Sequence, residues 1–285
     1  MLRNTFCHIP GIGPKRERRL WSSGFRFWED CSRALPLPLP AEAVDRFLEH
    51  LDASRAHLEG NDPGFFARSM PQVLQWRLFP EFRHEIAYLD IETTGLGGWE
   101  SSVTTIALYD GTSVHCYVQG QNLQDFLDDV DRYKILVTYN GKCFDLPFLQ
   151  RCFGIRLPQV HVDLRYVLRS LGFGGGLKRC ERQLGIDRGD LDGVDGYFAV
   201  LLWEEYARRA DSKALETLLA YNIQDVVNLE TLLVMAYNLN AQETPFAESH
   251  LLPLPLQPEI PYQPDRETIE RIKARLYLPY PQGFY

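Results

Sequence analysis

Glu85-Ile86-Ala87-Tyr88-Leu89-Asp90-Ile91-Glu92-Thr93-Thr94-Gly95 is a short β-favouring run that ends at a threonine pair and a glycine and carries two carboxylates near its end. Side chains on a strand alternate between faces, so Asp90 and Glu92 point one way while Leu89 and Ile91 pack on the other. A strand this apolar belongs at the centre of a sheet. Two carboxylates on one face at its end are costly unless a cation pairs them. A hard divalent cation with oxygen ligands is the natural partner. An isolated Asp-x-Glu also occurs at exposed strand ends, so the pair does not decide the matter alone.

Working outward, Val103 to Tyr109 and Val114 to Val118 flank Asp110-Gly111, a strong hairpin signal. Gln121 to Val130 reads as helix, and Lys134 to Tyr139 as a further strand stopped by Asn140-Gly141. From Asp145 onward the pattern is helical. The fold class is therefore α/β, a mixed sheet flanked by helices. Asp145 follows the Asn140-Gly141 turn, where, taken alone, it reads first as the cap of the helix that Pro147 helps to open. In the long helix capped by Asp211-Ser212, Leu215, Leu218, Leu219, Val226, Leu229, Leu233 and Ala236 recur at helical spacing. Tyr221 and Asp225 lie four apart, one turn from each other on one face beside that stripe. A pair so placed also suits a partly exposed helix edge.

Upstream, Gly11-Ile12-Gly13-Pro14 is a breaker cluster from which a helix runs through Lys15 to Trp21, with Gly24 ending it. A second helical pattern spans Ala41 to Leu58. Downstream, the stretch from Ala241 to Tyr285 holds eight of the 18 prolines and reads as an extended, wrapping tail with a last helix over Asp265 to Leu276. The organisation expected is a helical N-terminal segment over 1–75, a catalytic domain over 84–240 and a proline-rich tail over 241–285.

Composition narrows the class. The chain of 285 residues is 45% hydrophobic and 24% charged, values of a globular protein rather than a disordered one. No stretch approaches the roughly 18 apolar residues of a membrane span. The first ten residues lack the pattern of a signal peptide. The six cysteines form no CxxC pair and suit a reducing cytoplasm. A net charge of −8 argues against gripping phosphates by bulk charge. Two local basic stretches stand against it, residues 1–33 and 165–182, each of which also fits an ordinary solvated helix surface. The loop Gly174-Gly175-Gly176-Leu177-Lys178 lacks the spacing of a phosphate-binding P-loop and reads as a flexible segment near the rim of an active site.

Taken together, Asp90, Glu92, Asp145 and Asp225 make four carboxylates at one sheet edge, with Tyr221 one turn before the last. Such a group repels itself unless metals neutralise it. Asp90-Ile91-Glu92-Thr93-Thr94-Gly95-Leu96 resembles the first motif of the DnaQ-like (DEDD) exonucleases of the RNase H-like fold. Asn140 through Phe144-Asp145 resembles the second, and Tyr221-Asn222-Ile223-Gln224-Asp225 the third, in its tyrosine (DEDDy) form. More narrowly, the Pro10-Gly11-Ile12-Gly13 opening, Gly175-Gly176-Leu177-Lys178 and Leu184-Gly185-Ile186 are similar to those of YprB-like RNase H-like proteins of bacteria. The resemblance covers about residues 1–240.

The resemblance implies a metal-dependent 3′–5′ exonuclease acting on DNA or RNA with a free 3′ end and using two divalent cations, Mg²⁺ or Mn²⁺. Asp90 would bridge both metals. Glu92 and Asp225 would hold the one that binds the attacking water, and Asp145 would act on the second. Tyr221 would orient the water. Thr93, Thr94 and Leu96 would receive the terminal nucleotide, and Asn140 and Phe144 would position it. Gly11-Ile12-Gly13 also resembles the hairpin of a helix-hairpin-helix, which would bring Gly11, Gly13 and Lys15 against backbone phosphate, although only ten residues precede it. Two other readings share the same residues: a catalytically silent nucleic-acid-binding module, and a structure-selective, RNA-trimming nuclease. A scaffold docking through the proline-rich tail is a third, and the tail offers no P-x-x-P series with basic flanks. The sequence singles out no protein partner and no membrane.

Overall fold

The computed structural model describes residues 1–95 and 101–277. Helices α1 (Pro14–Ser22), α2 (Ala41–Glu59), α3 (Pro63–Ser69) and the short α4 (Phe79–Phe82) precede strand β1 (Ile86–Thr93). The hairpin β2 (Val103–Tyr109) and β3 (Val114–Val118), helix α5 (Phe126–Val130) and β4 (Ile135–Thr138) follow. Then come α6 (Asp145–Phe153), β5 (Val160–Asp163), α7 (Leu164–Ser170), α8 (Leu177–Gln183), α9 (Gly196–Arg209), α10 (Ser212–Gln242), α11 (Ala247–His250) and α12 (Arg266–Tyr277).

The strands form one mixed sheet in the order β3-β2-β1-β4-β5. β1 is central, antiparallel to β2 and parallel to β4. Its alternation is as the sequence implies. Ala87, Leu89 and Ile91 face α5 and α6, packing with Phe126, Leu146 and Leu149. Ile86 and Tyr88 face α10 and meet Ile223 and Val226. Asp90 and Glu92 continue that second row. The register slips between Glu92 and Thr93, where Glu92 pairs with Thr105 and Thr93 with Val103. A bulge of this kind breaks the ladder and re-aims the strand end.

Two local readings differ from the sequence expectation. The helix expected from Gln121 begins later, as a 3₁₀ turn over Leu123–Asp125 that leads into α5. The cause is Asn122, whose side chain accepts from Val118 N–H at 2.8 Å and donates to Cys116 O at 3.0 Å, holding the chain in a turn. The second difference is β5, a strand within the stretch read as helical. Only four residues long, it pairs in parallel with β4 along the sheet edge, too short for alternation to register in the sequence.

The N-terminal helices share the core of the sheet. Phe6, Trp21, Trp28, Phe47 and Phe66 belong to one apolar cluster with Tyr88, Tyr109 and Val226. Buried Glu17 of α1 accepts from Phe6 N–H at 2.7 Å and Cys7 N–H at 3.1 Å, and pairs with buried Arg77 Nη1 at 2.8 Å. Removing one member of such a pair strands the other charge without water. Arg77→Ala is expected to cost about 3–5 kcal/mol in urea unfolding, whereas the exposed pair Arg33–Asp45 should lose under about 1 kcal/mol on Arg33→Ala. Equal losses would show that the burial of the Glu17–Arg77 pair does not raise the cost of breaking it.

Candidate active site

The end of β1, the turn after β4 and the middle of α10 meet at a pocket of about 410 Å³. Asp90, Glu92, Asp145, Tyr221 and Asp225 all line it, as do Thr93, Asn140 and Phe144. One carboxylate oxygen from each of Asp90, Glu92 and Asp225 lies within 4.8 Å of the others. Glu92, Asp145, Tyr221 and Asp225 are buried, and Asp90 is partly so. The helix-edge alternative for Tyr221 and Asp225 is thereby excluded: α10 is buried on most of its circumference, not along one stripe.

Each acid is fixed by its element. Asn222, next to Tyr221 on α10, donates from Nδ2 to Asp90 Oδ2 at 2.7 Å and accepts from Thr105 Oγ1 of β2 at 3.0 Å. Asp145 is the first residue of α6, so its side chain does not occupy the cap position. Instead its Oδ1 accepts from Ile91 N–H of β1 at 3.2 Å. The turn before it is clamped by Asp163 at the end of β5, which accepts from Asn140 N–H at 2.8 Å and Lys142 N–H at 3.2 Å. Gly141 is required there, because a Cβ at that position would lie 2.3 Å from Thr138 Oγ1.

Asp225 is bound by two cations. Arg188 Nη2 lies 2.6 Å from its Oδ1, and Lys178 Nζ contacts its Oδ2. Arg188 also reaches buried Glu181 at 2.9 Å, and Asn228 donates to the same carboxylate at 2.8 Å. Lys178 Nζ stands 4.5 Å from the centre of the Tyr221 ring, within cation–π range. The sequence reading missed Lys178, Arg188 and Asn222 as members of the site. Asn222 lies inside the third motif and Lys178 at the end of the triple-glycine loop, whose Gly175 and Gly176 line the pocket. Arg188, ten residues further on, carries no local signal.

The net balance is still negative. Burial first, then the charges of Asp225, Asp145 and Glu92, push the Asp90 carboxyl well above the usual range. Burial and then Asp225 do the same to Glu92. Burial raises Asp145 to about 7, against hydrogen bonds from its own backbone N–H and from Ile91. Burial, followed by Asp225, Glu92 and Asp90, holds Tyr221 well above an ordinary phenol. An all-oxygen donor set whose members resist ionising together is chemically suited to a hard divalent cation.

The remaining expected residues lie elsewhere. Thr94 is exposed, and its Oγ1 accepts from Ser102 N–H at 3.0 Å. Leu96 lies outside the described residues. Gly11, Gly13 and Lys15 are exposed at the start of α1 and do not line the acidic pocket. The Gly11 carbonyl there accepts from Arg16 Nη1 at 2.6 Å.

A family model described as the RNase_H superfamily matches residues 87–237. The uncharacterized protein YprB of Bacillus subtilis (strain 168) is 30% identical over 182 residues, which cover 53% of this chain and 42% of YprB. The chain thus spans under half the length of that relative. Among solved structures, the family B DNA polymerase of the hyperthermophilic archaeon Pyrobaculum calidifontis aligns with a TM-score of 0.41 at 17% identity, over 55% of this chain and 24% of the polymerase. Brucella melitensis NrnC with bound Mg²⁺ gives 0.39 at 20%, over 60% and 82% of the two chains. The Nibbler EXO domain of Aedes aegypti gives 0.38 at 12%, over 59% and 85%.

The raised carboxyls make a signed prediction. In metal-free protein Asp145 holds its proton to about pH 7, against an ordinary carboxyl value of 3.8. The folded state therefore binds more protons than the unfolded chain across that window, and this group's contribution to stability falls as pH rises through it. Buried His8 and partly buried His161, lowered by loss of water to about 3 and 4, pull the opposite way, so the site must be read as a difference between variants. Asp145→Asn should gain on wild type between pH 5 and 7.5 in EDTA, on the order of 1–3 kcal/mol, and lose that gain in saturating Mn²⁺. A constant difference across pH, with or without Mn²⁺, would mean that Asp145 is not strained by its neighbours.

Proposed function

This chain belongs to the RNase_H superfamily, and on that premise we propose that it is a metal-dependent 3′–5′ exonuclease that hydrolyses the terminal phosphodiester of DNA or RNA. The observation that carries the reading is the meeting of Asp90, Glu92 and Asp225 within 4.8 Å, with Asp145 and Tyr221 in the same pocket. Asp90, Glu92 and Asp225, with Asp145 behind them, are the residues to hold two divalent cations, Mg²⁺ or Mn²⁺. Bound there, such cations supply Lewis acidity and lower the pKa of a coordinated water.

The chain's own groups do the rest. Asp90, near the end of β1, would be shared by both ions, and Asn222 fixes its carboxylate by donating to Oδ2. Glu92 and Asp225 would hold the ion that binds the attacking water, and Asp145 would act on the second. Tyr221 stays a neutral phenol, so it works as a hydrogen-bonding group that aims the water and not as a base. Thr93, Asn140 and Phe144 line the same pocket and hold the terminal nucleotide, with Thr94 next to Thr93 in the chain as a further contact. The exposed start of α1 at Gly11, Gly13 and Lys15 offers a separate place for backbone phosphate. The free thiols suit action in the cytoplasm, and among the described residues no helix is long and apolar enough to cross a membrane. The intact set of acids favours this reading over a silent binding module, which has no use for four strained carboxyls.

The tests are direct. A 5′-labelled oligonucleotide should shorten stepwise in Mg²⁺ or Mn²⁺ and remain whole in EDTA. A 3′-phosphate should slow it strongly, and closed circular single strands should persist. Asp90→Ala should abolish cleavage with its circular dichroism unchanged. Under single-turnover conditions Tyr221→Phe should lower the rate by about 10²–10⁴-fold with little change in substrate affinity. Wild-type rates in Tyr221→Phe would remove the tyrosine from the chemistry, and full activity in Asp90→Ala would end the nuclease reading.

A further inference from the structure

A second cavity, of about 490 Å³, opens beside the acidic pocket. The two share Tyr139, Asn140, Gly175 and Gly176 in their walls. They differ in their acids. The first is walled by five carboxylates with Lys178, Arg179 and Arg182 among them, whereas the second is lined by Arg165 and Arg169 of α7, the rings of Tyr139 and Phe173, Asn140 and the glycines 174–176, with no acidic side chain among them. In a chain of net charge −8, an acid-free wall with two arginines is a local exception that calls for an anionic occupant.

Arg165 and Arg169 are four apart on one helix, so they stand one turn from each other on the same face. Both are exposed, and neither is paired with a carboxylate among the described residues. Arg165 donates from Nη1 to Asn140 Oδ1, tying this wall to the turn that lines the acidic pocket. The rest of its guanidinium fork and the whole of Arg169 remain free to donate. Tyr139 and Phe173 are only half-buried, which leaves ring surface for a flat partner. The glycines put no side chain between the two cavities.

We propose that this second cavity is the subsite for the penultimate nucleotide: the arginines take its phosphate, and Tyr139 or Phe173 stacks on its base. The occupant is one more phosphodiester-linked residue of a single strand, deoxyribose or ribose. This assignment rests on the nuclease reading of the acidic pocket and adds a minimum length to its substrate. A substrate that ends at the scissile bond uses only the carboxylate side. One that continues by a nucleotide gains charge-assisted hydrogen bonds and a stacking contact, each worth roughly tenfold or more in affinity.

The experiment compares two substrates with Mn²⁺. The p-nitrophenyl ester of thymidine 5′-monophosphate presents a single nucleotide at the carboxylates, and the dinucleotide pdTpdT adds the next one. Its ribose counterpart pUpU, run in parallel, shows which backbone the subsite prefers. The variants are Arg169→Glu, at an exposed position, and Phe173→Leu, which keeps apolar bulk and loses the π face. The KM of the dinucleotide relative to that of the nitrophenyl ester should rise about tenfold or more in each variant, with kcat on the dinucleotide falling less. An unshifted ratio in both variants, with wild type active on both substrates, overturns the subsite and leaves the nuclease reading standing. Wild type inert on every substrate overturns the nuclease reading and the subsite with it.

Discussion

Carboxylates gathered in a water-poor pocket repel one another, and the arrangement around Asp225 is the answer to that repulsion on which the rest of the site depends. Lys178 and Arg188 hold its two oxygens from the α8 side. Arg188 in turn is fixed by Glu181, and Glu181 by Asn228 of α10. The chain of partners runs from one helix to the other and back, so α8 is bound to α10 through charges and amides as well as apolar contact. With α8 in place, the glycine loop before it is placed too, and that loop forms one wall of the pocket. The same need for neutrality explains why local cations sit beside these acids in a protein that is acidic as a whole.

Much of this was legible in the sequence because it depends on short-range geometry. The two-residue spacing of Asp90 and Glu92 and the four-residue spacing of Tyr221 and Asp225 are properties of a strand and a helix, and they hold wherever those elements go. The hairpin at Asp110-Gly111 and the cap at Asp211 are equally local. What escaped depends on partners distant in the chain. β5 is a strand only because β4 is beside it. Asp163 reads as an ordinary acid until its carboxylate is seen collecting the backbone N–H groups of Asn140 and Lys142, more than twenty residues earlier. Arg188 has no motif around it, and its partners Glu181 and Asp225 meet it only in the fold.

Asp145 illustrates the limit of local reasoning in a different way. A helix start and a site wall use the same residue type, an acid near the first turn, and the sequence left both roles open. The structure separates them by where the oxygen reaches: to Ile91 N–H on the central strand, with Phe144 and not Asp145 in the cap position. That bond ties α6 to the strand carrying Asp90 and Glu92, so two of the three motifs are held in register by a single backbone donor.

The apolar cluster joining the N-terminal helices to the sheet has a further consequence. The aromatic rings of Trp21, Trp28 and Phe66 press, through shared neighbours, on the row that includes Tyr88, two residues before Asp90. Close-packed interiors transmit small displacements instead of absorbing them. Changes in sequence far from the acids are thus registered at the acids as a loss of alignment before they are registered as unfolding. For this chain, drift in the helical layer and drift in the chemistry are not independent traits, and selection on either is paid in both.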